Sequence, residues 1–394
     1  MTFIPKAALP SHGMPEPSAD ALAHSLQLVD RIGDEIHAAG GWIDFSRYMH
    51  LALYAPGLGY YSGGARKFGK GGDFVTAPEI SPLFAQTLAQ QAAQVIRQTQ
   101  GSILELGAGT GILAAELLLE LQSLECLPQQ YCILEVSAYL QDVQRATLEQ
   151  KLPPELLQRV AWLHAIPDTF KGLMLGNEVL DALPVHVLRQ GNACIAELGV
   201  TVGSSGFSWQ EQALTSGQLA DFASVMDFPP GYTTEVCPAA HALIASLASS
   251  LEAGVILMID YGFPRSEYYH PQRSEGSLMC HYRHYAHGDP FLYPGLQDIT
   301  AHVDFTGIAQ AGVESDMELL GYVGQAQFLI NCGITQVLTR VSPADVSAYI
   351  PLASQAQKLL SPAEMGELFK VIALGKHFPE SLIGFVQGDK SHTL

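Results

Sequence analysis

The run LELGAGTGIL, residues 104–113, sets three glycines, Gly107, Gly109 and Gly111, between a short apolar strand (SILELG) and an amphipathic helix (ILAAELLLELQSL). Glycine lets a backbone turn sharply and approach a ligand where any Cβ would collide. The stretches that follow keep the same alternation. YCILEVS reads as a second strand, AYLQDVQRATLEQK as a helix, VAWLHAIP as a weaker third strand and GLMLGN as a fourth. GVILMIDYG, at 254–262, reads as a fifth strand after the helical AAHALIASLASSLEA. Strands alternating with helices predict a parallel α/β sheet.

The flanks read differently. Pro and Gly punctuate the first 20 residues, a loose arm. From Ala21 to Ala39 apolar residues recur at helical spacing, and WIDFSRYMHLALYAPGLGYYSGG predicts a second short helix ending in a Gly- and Tyr-rich loop. GKGGDFVTAPEIS opens as a loop and leads into a long helix with Ser81 as N-cap and Pro82 in its first turn. PVHVLRQGNACIAELGVTVGSSGFSWQEQAL predicts antiparallel hairpins turning at Gly-Asn and Ser-Ser-Gly. Residues 335–375 read as helical, with SLIGFVQG (381–388) as the last strand. The expected organisation is an arm and helical segment (1–70), a core in two parts (71–184 and 236–334), a β-rich insertion (185–235) and a helical excursion with the last strand (335–394).

Composition excludes several classes of function. With 394 residues, 48% hydrophobic and 15% charged, the chain can bury a large core. Acidic residues outnumber basic ones 39 to 20, for a net charge of −19. That field repels nucleic acid and anionic lipid and attracts a basic peptide. Six scattered cysteines without a CxxC pair fit a reducing compartment. The N-terminus lacks the basic start and apolar run of a secretory signal, and no uncharged apolar run reaches the roughly 18 residues that span a bilayer. A cytoplasmic protein is the expectation.

The ligand of the glycine turn is narrowed by its neighbours. A dinucleotide fingerprint would carry glycine or alanine at the sixth position, where this chain has Ile112. Glu105, just ahead of the glycines, is unfavourable beside a pyrophosphate and suits a cationic, phosphate-free ligand. Glu135, at the end of the second strand, can accept both hydroxyl protons of a ribose. A purely structural glycine turn is the alternative. A second feature is GNEVLDALPVHV (176–187), where an apolar strand runs into Asn177, Glu178 and Asp181. In an already acidic chain these carboxylates could cap a helix, bind a metal or hold a positively charged group.

Acid and GxGxG, strand, helix, and strand ending in acid resemble the class I S-adenosylmethionine-dependent methyltransferases, a Rossmann-like doubly wound α/β fold. GGDFVTAPEIS (71–81), GNEVLDALPVHV and DPFLYPGLQDITAHVDF (289–305), with ILELGAGTG and IDYG in order, resemble the MidA-like family within that class. The likeness spans roughly residues 20–390. That family includes the mitochondrial complex I assembly factor that methylates a protein arginine. The resemblance implies S-adenosyl-L-methionine as cofactor, a protein or peptide substrate, and a respiratory-complex subunit as a candidate partner. It implies cofactor binding by Gly107, Ala108, Gly109, Gly111 and Glu135, with Glu105 ahead of them. Asp73, Phe74, Thr76 and Pro78 match a loop closing over the methionine end, and Asn177 and Glu178 a segment beside the transferred methyl.

Glu178 and Asp181 are then expected to grip a guanidinium, with Glu79 a third candidate. The alternative is that Asn177 caps the turn and Asp181 binds local backbone amides. In MCHYRHYAHGDP, the residues His281, His284, His287 and Asp289 read as an active-site lid, with His284 able to move a proton, as plain loop, or as a metal site, whose close uniform spacing is unusual. His302 and Asp304 lie in the TAHVDF part of a family motif, though capping of a helix from Val303 explains Asp304 equally well. The aromatic stretch YMHLALYAPGLGYY is expected to plug a core rather than line a substrate wall. Rival functions are methylation of a small molecule or another side chain, a cofactor-binding assembly chaperone without turnover, and a nicotinamide oxidoreductase, which Ile112 makes improbable.

Overall fold

The computed structural model describes residues 14–63, 76–192, 194–214, 217–224, 226 and 228–394. Its contacts divide the chain into two compact units. One is built from the described residues of Met1–Phe74, Ala182–Ala239 and Ser266–His302, the other from Val75–Asp181, Ala240–Arg265 and Val303–Leu394. In this division 266–302, assigned above to the core, groups with the N-terminal segment and the β-rich insertion, and 335–394 groups with the core.

The second unit is the core. Its sheet uses β1 (Ser102–Leu106), β2 (Tyr131–Leu134), β3 (Val160–Leu163), β4 (Phe170–Asn177), β5 (Leu251–Phe263), β6 (Glu318–Gly324) and β7 (Phe369–Lys376) in the order β6-β7-β5-β4-β1-β2-β3, with Val303–Asp304 alongside β5. Neighbours from β5 to β3 run parallel, and β7 is antiparallel to both β5 and β6. The central strands are apolar throughout because both faces are covered: Leu173, Met174 and Leu175 are wholly buried, and Val255 through Ile259 nearly so. The helices Pro82–Thr99, Ile112–Ser123 and Ala138–Lys151 start where expected. Ser81 and Ser137 accept the backbone N–H of Leu83 and Leu140, satisfying donors the first turn leaves free.

The end of the chain departs from expectation. Helices occupy Ile334–Leu338 and Val346–Leu360, but FKVIALGK is the last strand, and SLIGFVQG holds only a 3₁₀ turn at Ile383–Phe385. A short apolar run carries no period that separates buried strand from buried helix. A Cβ on Gly384 would stand 2.3 Å from the Phe328 ring, so this segment lies flat against a neighbouring helix. The strand at 318–324 was not expected either.

The first unit joins helices Ala19–Ala38 and Phe45–Tyr54 to a five-stranded antiparallel sheet (Ile43–Asp44, His186–Gln190, Ile195–Gly203, Gly206–Ala213, Thr233–Val236) and a three-stranded one within 279–300. Its core takes Leu28, Ile32, Tyr48, Val187, Leu198, Cys280 and Ile299. Tyr48 and Tyr60 are buried, and the Tyr48 hydroxyl donates to the Pro290 carbonyl at 2.8 Å. The aromatic stretch is therefore core.

Candidate active site

In an α/β sheet the ligand crevice lies outside the carboxyl ends of the strands, where the order reverses. Here that point falls between β1 and β4, and both expected motifs sit on it. Leaving β1, Gly107 donates its N–H to the Leu134 carbonyl at 3.0 Å. Gly107, Gly109 and Gly111 then take φ of +58°, +52° and +82°, a left-handed path that ends on the first turn of Ile112–Ser123. Ala108 between them is buried. Gln144, from the helix Ala138–Lys151, ties the turn to the end of β2: its Nε2 donates to the Gly109 carbonyl (3.1 Å) and to Glu135 Oε2 (3.0 Å). Its Oε1 accepts from Trp162 Nε1 at 2.9 Å.

Both acids around the glycine turn are buried. Glu135 Oε1 accepts the Ser137 N–H at 2.9 Å, and burial raises its pKa against these hydrogen bonds. Glu105 is pushed up to about 7, mainly by burial, with the Glu135 charge adding to it and the Tyr131 hydroxyl, 2.7 Å from Oε2, pulling it down. Glu79 also reaches the turn, accepting a hydrogen bond from the Thr110 hydroxyl. Thr76 is the N-cap of the short helix Ala77–Ile80 without capping it by its side chain, and Pro78 is buried in that turn. Asp73 and Phe74 lie outside the described residues.

The acidic turn stands beside the glycine turn. A Cβ on Gly107 would come within 3.4 Å of Val179 Cγ2. β4 ends at Asn177, paired with Ile259 of β5, and Glu178 donates its N–H to the Ile259 carbonyl at 2.9 Å. Glu178 then adopts φ +55°, uncommon for a residue with a Cβ. Its Oε1 accepts from Asn177 Nδ2 at 3.2 Å. The residue that gathers the turn is Asp260 of β5. Its Oδ2 accepts the N–H groups of Val179 (3.1 Å), Leu180 (2.8 Å) and Asp181 (3.3 Å), while Oδ1 accepts its neighbour Tyr261 N–H at 3.0 Å. Burial and the charges of Asp181 and Glu178 hold the Asp260 pKa well above the usual carboxylate range.

The local amides offered above to Asp181 thus belong to Asp260. Asp181 is buried and accepts a hydrogen bond from the Tyr261 hydroxyl, whereas Glu178 is partly exposed. Sequence reasoning passed over Asp260, Tyr261, Gln144 and Thr110. The available signal was a charge ending the apolar run GVILMID, the same signal that drew attention to Glu178.

The remaining candidates belong to other elements of the chain. His284 belongs to the first unit, at the exposed tip of the hairpin Met279–Tyr282 and Tyr285–His287. With Arg283 (φ +47°) and His284 (φ +67°) both left-handed, the tip is a two-residue hairpin turn. His281 lies across from Ala286, and His287 Nδ1 accepts the Asp289 N–H at 3.3 Å. Among the described residues, only Asp44, His186 and Glu197 bring three such ligand atoms within 4.8 Å. Asp44 caps the helix Phe45–Tyr54 through the Arg47 N–H, and His186 Nδ1 bonds Glu197 at 2.6 Å, so these atoms are already engaged. Asp304 precedes a helix that starts at Phe305, and accepts from Arg265 Nε and Nη2, each at 3.2 Å.

The donor set fits S-adenosylmethionine. Asn177 Oδ1 is buried without a hydrogen-bond partner, an acceptor aimed at a missing donor. The glycine turn lies close to its neighbours, where a Cβ on Gly111 would stand 3.2 Å from the Gln144 Cα. A carboxylate pinned at the end of β2 suits a diol, and among the described residues no basic side chain is hydrogen-bonded into either turn to meet a pyrophosphate.

Comparison with known proteins agrees with this geometry. Residues 85–323 match the family model described as "Putative S-adenosyl-L-methionine-dependent methyltransferase". The mitochondrial protein arginine methyltransferase NDUFAF7 of Mus musculus is 29% identical over 366 residues, covering 86% of this chain and 82% of its own. Its Drosophila melanogaster homolog is 27% identical over 409 residues, covering 95% and 90%. The crystal structure of a COG1565 superfamily member from Burkholderia thailandensis, bound to S-adenosyl-homocysteine, superposes with a TM-score of 0.94 at 49% identity, covering 97% of this chain and all of that one.

Proposed function

We propose that this chain, which belongs to that family of S-adenosyl-L-methionine-dependent methyltransferases, methylates an arginine side chain of a protein. The observation that carries the choice of acceptor is the acidic turn. Three carboxyl groups, Glu178, Asp181 and Asp260, converge at the end of β4 with Val179 against the glycine turn. Burial and mutual repulsion make it costly to ionise all three together, and a cation beside the partly exposed Glu178 would lower that cost.

The bound cofactor supplies a methyl group made electrophilic by its sulfonium. Glu135 would hold the ribose hydroxyls, Gly107–Gly111 would leave room for the backbone to approach, and the buried Asn177 Oδ1 would accept from the amino group. An arginine guanidinium has a pKa above about 12 and no free lone pair at rest. Glu178 would fix its plane by accepting from two N–H groups, leaving the third nitrogen to face the methyl. As that nitrogen reacts it loses a proton, and Glu178 is the partly exposed carboxylate placed to stabilise or accept it. By the family resemblance Asp73, Phe74 and Thr76 would be cofactor residues, and His284 is carried as a candidate proton acceptor. A respiratory-complex subunit is the acceptor we favour from the family resemblance, and the cytoplasm is the compartment, supported by six free cysteines.

The test is transfer from methyl-labelled S-adenosylmethionine to a fractionated cell extract, followed by fragment mass spectrometry of the labelled peptides. Added mass on arginine supports the reading. Label on a small molecule or on lysine, with arginine unlabelled, overturns it.

A further inference from the structure

Asp260 lies 79 to 81 residues beyond the turn it holds, and reaches it because β5 runs beside β4 with Ile259 opposite Asn177. One carboxylate oxygen takes three successive backbone N–H groups, an arrangement that fixes the path of 179–181 and leaves little freedom to the residue before them. That residue is Glu178, whose left-handed conformation needs surroundings that over-determine it. The neighbouring Tyr261 hydroxyl donates to Asp181 Oδ2, and the Tyr261 ring packs edge-on against Phe369 of β7 with centroids 5.4 Å apart. Consecutive residues of one strand therefore grip the turn at two points, backbone and side chain.

From this geometry we infer that Asp260 and Tyr261 are positioning residues for methyl transfer: Asp260 sets the backbone that presents the Glu178 carboxylate, and Tyr261 holds Asp181 back from the acceptor so that Glu178 alone grips it. The inference rests on the reading that Glu178 meets the acceptor. It assigns Asp181 a supporting place in the turn in preference to a second guanidinium contact. An Asn at 260 could not substitute. Its single carbonyl oxygen can face either the three amides or the Tyr261 N–H, and its NH₂ group then points at donors on the other side.

The test compares wild type with Asp260→Asn and Tyr261→Phe in the full-length protein. For Asp260→Asn, turnover of labelled-methyl transfer should fall at least 30-fold while the dissociation constant for S-adenosylhomocysteine, measured by calorimetry, stays within threefold. Tyr261→Phe should fall three- to tenfold with the same binding, and its acceptor KM should change less than its kcat. Turnover within twofold of wild type in both variants overturns the inference, and so does loss of cofactor binding in proportion to turnover. Hydrogen exchange at the amides of Val179, Leu180 and Asp181 gives a readout that needs no acceptor. In Asp260→Asn these should exchange at least tenfold faster while Gly107–Gly111 hold their rates, and unchanged exchange overturns the inference. A wild-type enzyme that labels some other side chain sinks the arginine reading alone, since the ratios of variant to wild type still decide this one.

Discussion

Two turns meet at the carboxyl end of the core sheet, and they solve one backbone problem with opposite residues. The turn after β1 goes left-handed at Gly107, Gly109 and Gly111, where the absence of a Cβ makes that conformation cheap. The turn after β4 goes left-handed at Glu178, where it costs about 1 kcal/mol or more. The first turn gives up side chains and packs its backbone close to Val179 and Gln144. The second accepts strain to deliver one, and needs a buried carboxylate with three N–H donors to hold it. On the proposed reading the two turns divide the work, the first approaching the cofactor with bare backbone and the second carrying charge to the acceptor.

That contrast can be broken most severely at Glu178. Glu178→Gln should lower turnover by about two to four orders of magnitude, the range of a lost proton-handling group, and leave cofactor affinity within a few-fold. Equal loss of cofactor binding would move Glu178 to the other side of the comparison. Next comes Glu105, the acid at the glycine turn. Its folded pKa of about 7 stands above the reference of 4.5, so between these values the folded state keeps a proton that the unfolded state releases. Stability is therefore lost as pH rises through that window and is level above it. Glu105→Gln should show its advantage growing from pH 4.5 to 7, to about 3 kcal/mol at most, in denaturant titrations. A difference independent of pH would mean the carboxyl is ionised throughout.

Smaller effects sharpen the comparison. Glu135→Ala should weaken S-adenosylmethionine by about 1 to 3 kcal/mol through lost charge-assisted bonds, read by calorimetry, and an unchanged affinity would remove the ribose from Glu135. Smallest is Glu178→Gly. It relieves the left-handed strain and should raise stability by about 1 kcal/mol in thermal unfolding while activity is lost. A lower melting temperature would show that the Glu178 side chain, bonded to Asn177, supports the turn more than its backbone strains it.

Much of this was legible before any fold was known. The glycine turn, the helix starts at Ser81 and Ser137, the alternation of strand and helix and the acids at strand ends depend on neighbours within a few residues, and local chemistry announces them. The errors fell on FKVIALGK and SLIGFVQG, two short apolar runs of similar composition. What separates them is whether a strand lies on either side, as β5 and β6 do for the first, and whether a helix leaves room for a Cβ, as it does not at Gly384. The histidine run drew attention because three histidines recur at regular spacing, and strand pairing, which that spacing does not encode, places His284 at a hairpin tip and His281 on a strand.

By itself, then, the sequence determined the class of sheet, where its glycine and acidic turns would fall, and a ligand carrying no phosphate. Only the tertiary structure decided the surroundings of each carboxylate. Glu178, Asp181 and Asp260 are the same chemistry in a string of letters. They part company because β5 lies in register with β4, burying Asp260 against the turn's own amides and handing Asp181 to Tyr261, so that Glu178 keeps the most exposure of the three. Register joins residues some 80 positions apart, and no local pattern of side chains encodes it.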